Sequence, residues 1–174
     1  MESIPNTLEE IIEKSIQLEK EGRDFYLSSA KKIKNSLGKR TLERLAQDEL
    51  IHISRFKDLY EAVANKSVDR VKLPEQHITT FDEIFNRLRD QVEDAIDELS
   101  EVGVDDIEMI EMALDLENHT HLFYKKASEK VKDEKASKLY SMLAEEEKAH
   151  YDILRKSLEF LGDPSLFFGM SGSH

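Results

Sequence analysis

Apolar residues at Phe81, Ile84, Phe85, Leu88, Val92, Ala95, Ile96 and Leu99 fall at intervals of three and four, one face of an amphipathic helix. Four longer helices are predicted around it. The first opens at Thr7, where Glu10 three residues on completes a capping box, and runs to about Ile33. The second follows the Asn35-Ser36 break and runs to about Ala64. The third begins near Asp105-Asp106 and continues to about Val131. The fourth starts after Lys132-Asp133 and ends at Leu161, where Gly162 and Pro164 form a stop signal. Each spans about 26 to 29 residues, or about 40 Å at 1.5 Å per residue.

Short connections join the first helix to the second and the third to the fourth, which predicts two antiparallel hairpins, 7–64 and 105–161. Residues 65–104 form a crossover: a loop from Lys66 to His77 containing Pro74, then the amphipathic helix Phe81 to Leu99. The expected fold is all-α, a ferritin-like four-helix bundle in one domain over 1–174, with a long crossover carrying an extra helix. The tail, 162–174, contains Leu166, Phe167, Phe168 and Met170 and is apolar enough to dock on its own bundle or on a second subunit.

Composition narrows the chemistry. Charged residues make up 36%, with only six Gly and three Pro, as suits long helices with solvated faces. A net charge of −12 argues against nucleic-acid binding, which needs a basic surface. No stretch approaches the roughly 20 apolar residues of a membrane span. Met1-Glu2-Ser3-Ile4-Pro5 lacks the segments of a secretory signal, so the expected compartment is the cytoplasm. Cysteine is absent, which removes disulfides, thiolate catalysis and Cys-ligated metals together. Any metal must sit on carboxylates and imidazoles.

A repeat supplies them. Shifted by 98 residues, Leu18-Glu19 falls on Leu116-Glu117, Phe25-Tyr26 on Phe123-Tyr124, Glu49 on Glu147 and His52 on His150. In each half a Glu precedes an E-x-x-H motif by 30 residues, with a Tyr seven residues after that Glu. Residues i and i+3 share a helix face, so Glu49 with His52, and Glu147 with His150, each aim two ligands at one point. Folding each hairpin about its turn brings Glu19 level with Glu49, and Glu117 level with Glu147. Four glutamates and two histidines then converge in one layer, the arrangement of di-iron carboxylate bundles. Four carboxylates buried together without a cation would repel and carry a heavy desolvation cost. Mixed carboxylate and imidazole ligands suit two Fe ions per chain, and Mn or a mixed Fe/Mn pair fits the same set.

These motifs, above all Leu18-Glu19-Lys20-Glu21-Gly22-Arg23-Asp24-Phe25-Tyr26 and the two E-x-x-H helices, resemble the rubrerythrin branch of the ferritin-like superfamily over residues 7–161. The resemblance implies that Glu19 and Glu117 are terminal metal ligands, Glu49 and Glu147 bridging ones, and His52 and His150 terminal nitrogen donors. Two departures stand out. Rubrerythrins proper carry a rubredoxin domain with Cys-bound iron, and this chain has no Cys. They also carry a further Glu three residues after the third-helix ligand, where this chain has Thr120. The remaining six-ligand set is similar to that of bacterioferritin.

The expected function is that of a di-iron oxidoreductase, a peroxidase or oxidase reducing H2O2 or O2, as a homodimer fed by an external donor such as a rubredoxin or flavoprotein. The alternatives are a ferroxidase that handles or stores iron, and a non-catalytic helical interaction module. Tyr26 and Tyr124 are the candidate catalytic residues, able to hydrogen-bond ligand carboxylates or supply an electron; otherwise they are core tyrosines. Gly22 either leaves space for oxidant or allows helices to pack. Asp48 and Glu146 either accept from the ligand imidazoles or are solvated. Glu145-Glu146-Glu147 reads as one ligand and two solvated neighbours. His121 is read as a partly buried helix residue rather than a pocket residue, and His119 and His77 are given no role.

Overall fold

The computed structural model describes residues 4–75, 78–91 and 101–163, all helical or irregular. In chain order the elements are α1 (Leu8–Ala30), α2 (Ser36–Ala64), a single 3-10 turn (Val68–Arg70), α3 (Phe81–Gln91), α4 (Val104–Lys130) and α5 (Glu134–Gly162). The start signals lie where the sequence puts them. Thr7 caps α1, its hydroxyl accepting from Glu10 N while the Glu10 carboxylate accepts from Thr7 N. Asn35 and Asp133 cap α2 and α5 through Gly38 N and Ala136 N, both at 2.9 Å.

Two boundaries differ from expectation. Helix α1 stops at Ala30 rather than Ile33, and Ile33 turns into the core. Gly162 is the last residue of α5 rather than the stop beyond it, and no described glycine has a positive φ. Helix α2 ends at Ala64 as expected, and the left-handed residue of its cap is not a glycine but Lys66, at φ 52°. There Ser67 N donates to Ala62 O and Lys66 N to Val63 O, the paired bonds of a Schellman cap. The remainder of the crossover helix, with Val92, Ala95, Ile96 and Leu99, lies outside the described residues, as does the tail with Phe167 and Phe168.

Helices α1 and α2 form one antiparallel hairpin and α4 and α5 the other, with α1 beside α4 and α2 beside α5. The crossover is fastened at both ends. Lys135 at the start of α5 donates to the carbonyls of Asp69 and Val71, and Phe81 and Ile84 of α3 bury against α2 and α5. At the far end the buried Asp106 carboxylate accepts from Lys34 N, Asn35 N and Gly103 N at 3.0, 2.9 and 2.9 Å.

The core divides into two apolar layers. One holds Tyr26, Leu37, Leu42, Leu45, Ile110, Ile153 and Phe160; the other holds Ile11, Ile12, Phe56, Leu59, Tyr124, Leu139 and Tyr140. Between them lies a layer of buried charge. No described helix is long and apolar enough to cross a membrane.

Candidate metal centre

The charged layer is built from Glu19 on α1, Glu49 and His52 on α2, Glu117 on α4, and Glu147 and His150 on α5, all buried. Glu19, Glu49, His52 and Glu147 each place one ligand atom within 4.8 Å of the others, and Glu49, Glu117, Glu147 and His150 do the same. Glu49 and Glu147 belong to both groups. The two imidazoles stack, with centroids 5.6 Å apart and planes at 18°.

Both histidines turn Nδ1 inward. His52 Nδ1 lies 2.9 Å from Glu147 Oε1, 3.4 Å from Glu19 Oε2 and 3.5 Å from Glu49 Oε2. His150 Nδ1 lies 3.5 Å from Glu117 Oε1 and 3.5 Å from Glu147 Oε2. Despite this proximity, Glu19 Oε2, Glu117 Oε2, Glu147 Oε1 and both Nδ1 atoms are buried with no hydrogen-bond partner. Buried polar atoms are ordinarily partnered, and orphans cost about 1–3 kcal/mol each. Five orphans facing one volume, on oxygen and imidazole donors, fit bound metal cations.

Protonation gives the same account. Burial pulls the His52 imidazole down, but Glu19 and Glu147 outweigh it and hold it well above its ordinary value. Glu117, together with Asp48, does the same for His150 against the pull of burial. Burial, reinforced by Glu147, pushes the Glu117 carboxyl up to about 8. For Glu147, burial and Glu19 push upward, yet the two imidazoles prevail and lower it. Protons thus neutralise the carboxylates where a cation would.

The tyrosines cross between hairpins. Tyr26 donates to Glu117, and Tyr124 donates to Glu19. Burial and then the neighbouring carboxylates push both hydroxyls well above their ordinary range, so each keeps its proton.

Asp48 and Glu146 also cross. His52 Nε2 lies 2.9 Å from Glu146 Oε2, and Arg55 Nη1 reaches the same oxygen at 2.6 Å. His150 Nε2 lies 3.5 Å from Asp48 Oδ2, while Arg44 holds Asp48 through Nε at 3.2 Å and Nη2 at 2.9 Å. Burial would raise both carboxylates, but imidazole and guanidinium neighbours leave both lowered. The Glu145-Glu146-Glu147 run therefore needs correcting: Glu145 is solvated, but Glu146 is buried and committed to His52 and Arg55. A cavity of about 60 Å³ lies outside the imidazoles, bounded by Arg44, Asp48, Arg55 and Glu146 and roofed by Ile51, Ile78 and Thr79.

The other candidates fall in place. A Cβ on Gly22 would sit 3.9 Å from the Glu49 carboxylate carbon, an ordinary contact. The Thr120 hydroxyl turns back to Leu116 O at 3.2 Å. His121 bonds Ala144 O through Nδ1 at 2.7 Å, outside both ligand groups, and His119 is exposed. His77 lies outside the described residues. Sequence reasoning missed Arg44 and Arg55. Their spacing, four before Asp48 and three after His52, places each on the site's face of α2, but the repeat offers Met142 and Ile153 in their place.

A family model described as Rubrerythrin matches residues 10–158. No curated protein and no solved structure matches the chain.

Proposed function

Because the chain belongs to the rubrerythrin family, we propose that it is a di-iron oxidoreductase that reduces H2O2 or O2 with electrons from an external donor. One observation carries this reading. Two four-residue ligand groups share Glu49 and Glu147, and their unpartnered atoms face a common volume. Two irons per chain are held by Glu19, Glu49, His52, Glu117, Glu147 and His150, and Mn or a mixed pair suits the same donors.

Bound iron supplies two-electron exchange with the oxidant. The chain does the rest. Glu49 and Glu147, common to both groups, would contribute to both metal positions. His52 and His150 offer Nδ1 because Nε2 faces Glu146 and Asp48. Tyr26 and Tyr124 orient Glu117 and Glu19 and keep a proton on each hydroxyl beside the centre. The apolar layers above and below exclude water. Electrons come from an external donor such as a rubredoxin or flavoprotein, and the protein works as a cytoplasmic homodimer.

A second reading, ferroxidase or iron storage, is favoured by Thr120, whose hydroxyl is spent on its own helix and leaves six ligands. Anaerobic loading with Fe²⁺ followed by H2O2 or O2 in separate runs distinguishes them. Rapid oxidation of both irons by H2O2 supports peroxide reduction. Turnover of many Fe²⁺ equivalents with O2 supports the ferroxidase. Failure to bind stoichiometric metal overturns both and leaves an interaction module.

A further inference from the structure

We infer that the two metal positions are unequal, and that Glu146 and Arg55 are positioning residues that make the Glu19–His52 position the tighter one. This rests on the di-iron reading above. The duplicated helices supply matched ligands to both positions and a matched acid behind each imidazole, Asp48 and Glu146, but the arginines that hold those acids are not duplicated. Both guanidinium groups come from α2, and their counterparts in the repeat, Met142 and Ile153, carry no charge.

The two imidazoles are consequently held differently. His52 Nε2 lies 2.9 Å from Glu146 Oε2, a full hydrogen bond, and Arg55 reaches that oxygen at 2.6 Å. Glu146 thus faces the imidazole on the opposite hairpin and is anchored there. A carboxylate accepting from Nε2–H fixes the tautomer, aims the Nδ1 lone pair at the metal and raises its basicity. His150 lacks an equal partner. Its Nε2 stands 3.5 Å from Asp48 Oδ2, beyond the range of a good bond. Asp48 is gripped at both oxygens by Arg44 on its own helix, and Arg44 in turn donates to Thr79 at 2.8 Å. One carboxylate serves its histidine, and the other serves an arginine. Tighter orientation of His52 makes the Glu19–His52 position fill first.

Anaerobic calorimetric titration of the metal-free full chain with Fe²⁺ tests this. Two binding steps are expected, the tighter weakened about 10- to 100-fold by Glu146→Gln. Asp48→Asn should leave the tighter step in place. Arg55→Gln alters a partly exposed side chain and should weaken the same step as Glu146→Gln, which guards against a misfolded variant. Mössbauer spectra at one ⁵⁷Fe per chain should show one ferrous environment in the parent and a mixture in Glu146→Gln. Two equal steps in the parent, or equal weakening of both steps by Glu146→Gln, would overturn the inequality while leaving the dinuclear centre intact. Fewer than two ions per parent chain would overturn the di-iron reading itself.

Discussion

The Tyr26 hydroxyl on α1 donates to Oε1 of Glu117 on α4. The mirror bond, from Tyr124 on α4 to Glu19 on α1, makes each hairpin responsible for orienting a carboxylate of the other. Tyr124→Phe strips Glu19 Oε1 of its donor inside a dry layer. Leaving a buried acceptor unsatisfied costs about 1–3 kcal/mol. Urea unfolding of the metal-free protein should register that loss, and Tyr26→Phe should act alike through Glu117.

Metal-free stability should fall as pH rises from about 4.5 to about 8. In the fold Glu117 keeps its proton up to about 8, whereas the unfolded chain has released it near 4.5. Across that window the native state binds more protons, so rising pH favours unfolding. His52 and His150, both raised, act with the same sign: their contribution is present at low pH and lost as each deprotonates in the fold. The lowered carboxylates Asp48, Glu146 and Glu147 contribute the opposite slope only below this window. Thermal melts with and without Fe²⁺ check it. Bound cations displace these protons, so iron affinity should rise with pH where metal-free stability falls.

Glu147→Ala removes a carboxylate common to both ligand groups. Iron content after anaerobic loading should drop to one per chain or fewer. Retention of two would discard the ligand assignment.

Gly22→Ala separates the two readings of that glycine. The added methyl meets the Glu49 carboxylate at ordinary contact distance, and a helical Gly costs about 1 kcal/mol relative to Ala. The variant should melt at a higher temperature. It should also oxidise its iron more slowly, because the space beside Glu49 is narrowed. Stopped-flow rates unchanged from the parent would leave Gly22 with a packing role alone.

Lys66→Gly should stabilise the protein by about 0.5–1 kcal/mol. A side chain in the left-handed region costs roughly 1–2 kcal/mol, partly offset by the greater unfolded freedom of glycine. Chemical denaturation at constant metal content measures it.

Most of the bundle was legible because its signals are local. Thr7, Asn35 and Asp133 are short polar side chains that satisfy free backbone donors, and they mark helix starts wherever they stand. The meeting of Glu19 with Glu49 followed from counting residues on either side of a short turn. What escaped depends on tertiary placement or departs from the repeat. Arg44 and Arg55 have no duplicated partners, so comparing the halves passes over them. That Glu146 bonds His52 across the bundle, while Asp48 stands near His150 but is held by Arg44, needs the two hairpins set side by side. The end of α5 misled because glycine is the usual left-handed cap, whereas here Gly162 stays inside the helix without that conformation.

Asp106 works as a gauge for the whole assembly. Its carboxylate joins the tip of one hairpin, at Lys34 and Asn35, to the entry of the other at Gly103. Sliding one hairpin along the other by a single helical turn, about 5.4 Å, would carry Glu117 and His150 out of reach of Glu49. Three amide protons on one carboxylate therefore set the height at which two halves of a duplicated chain come level, at the pole of the bundle rather than at the metal layer itself.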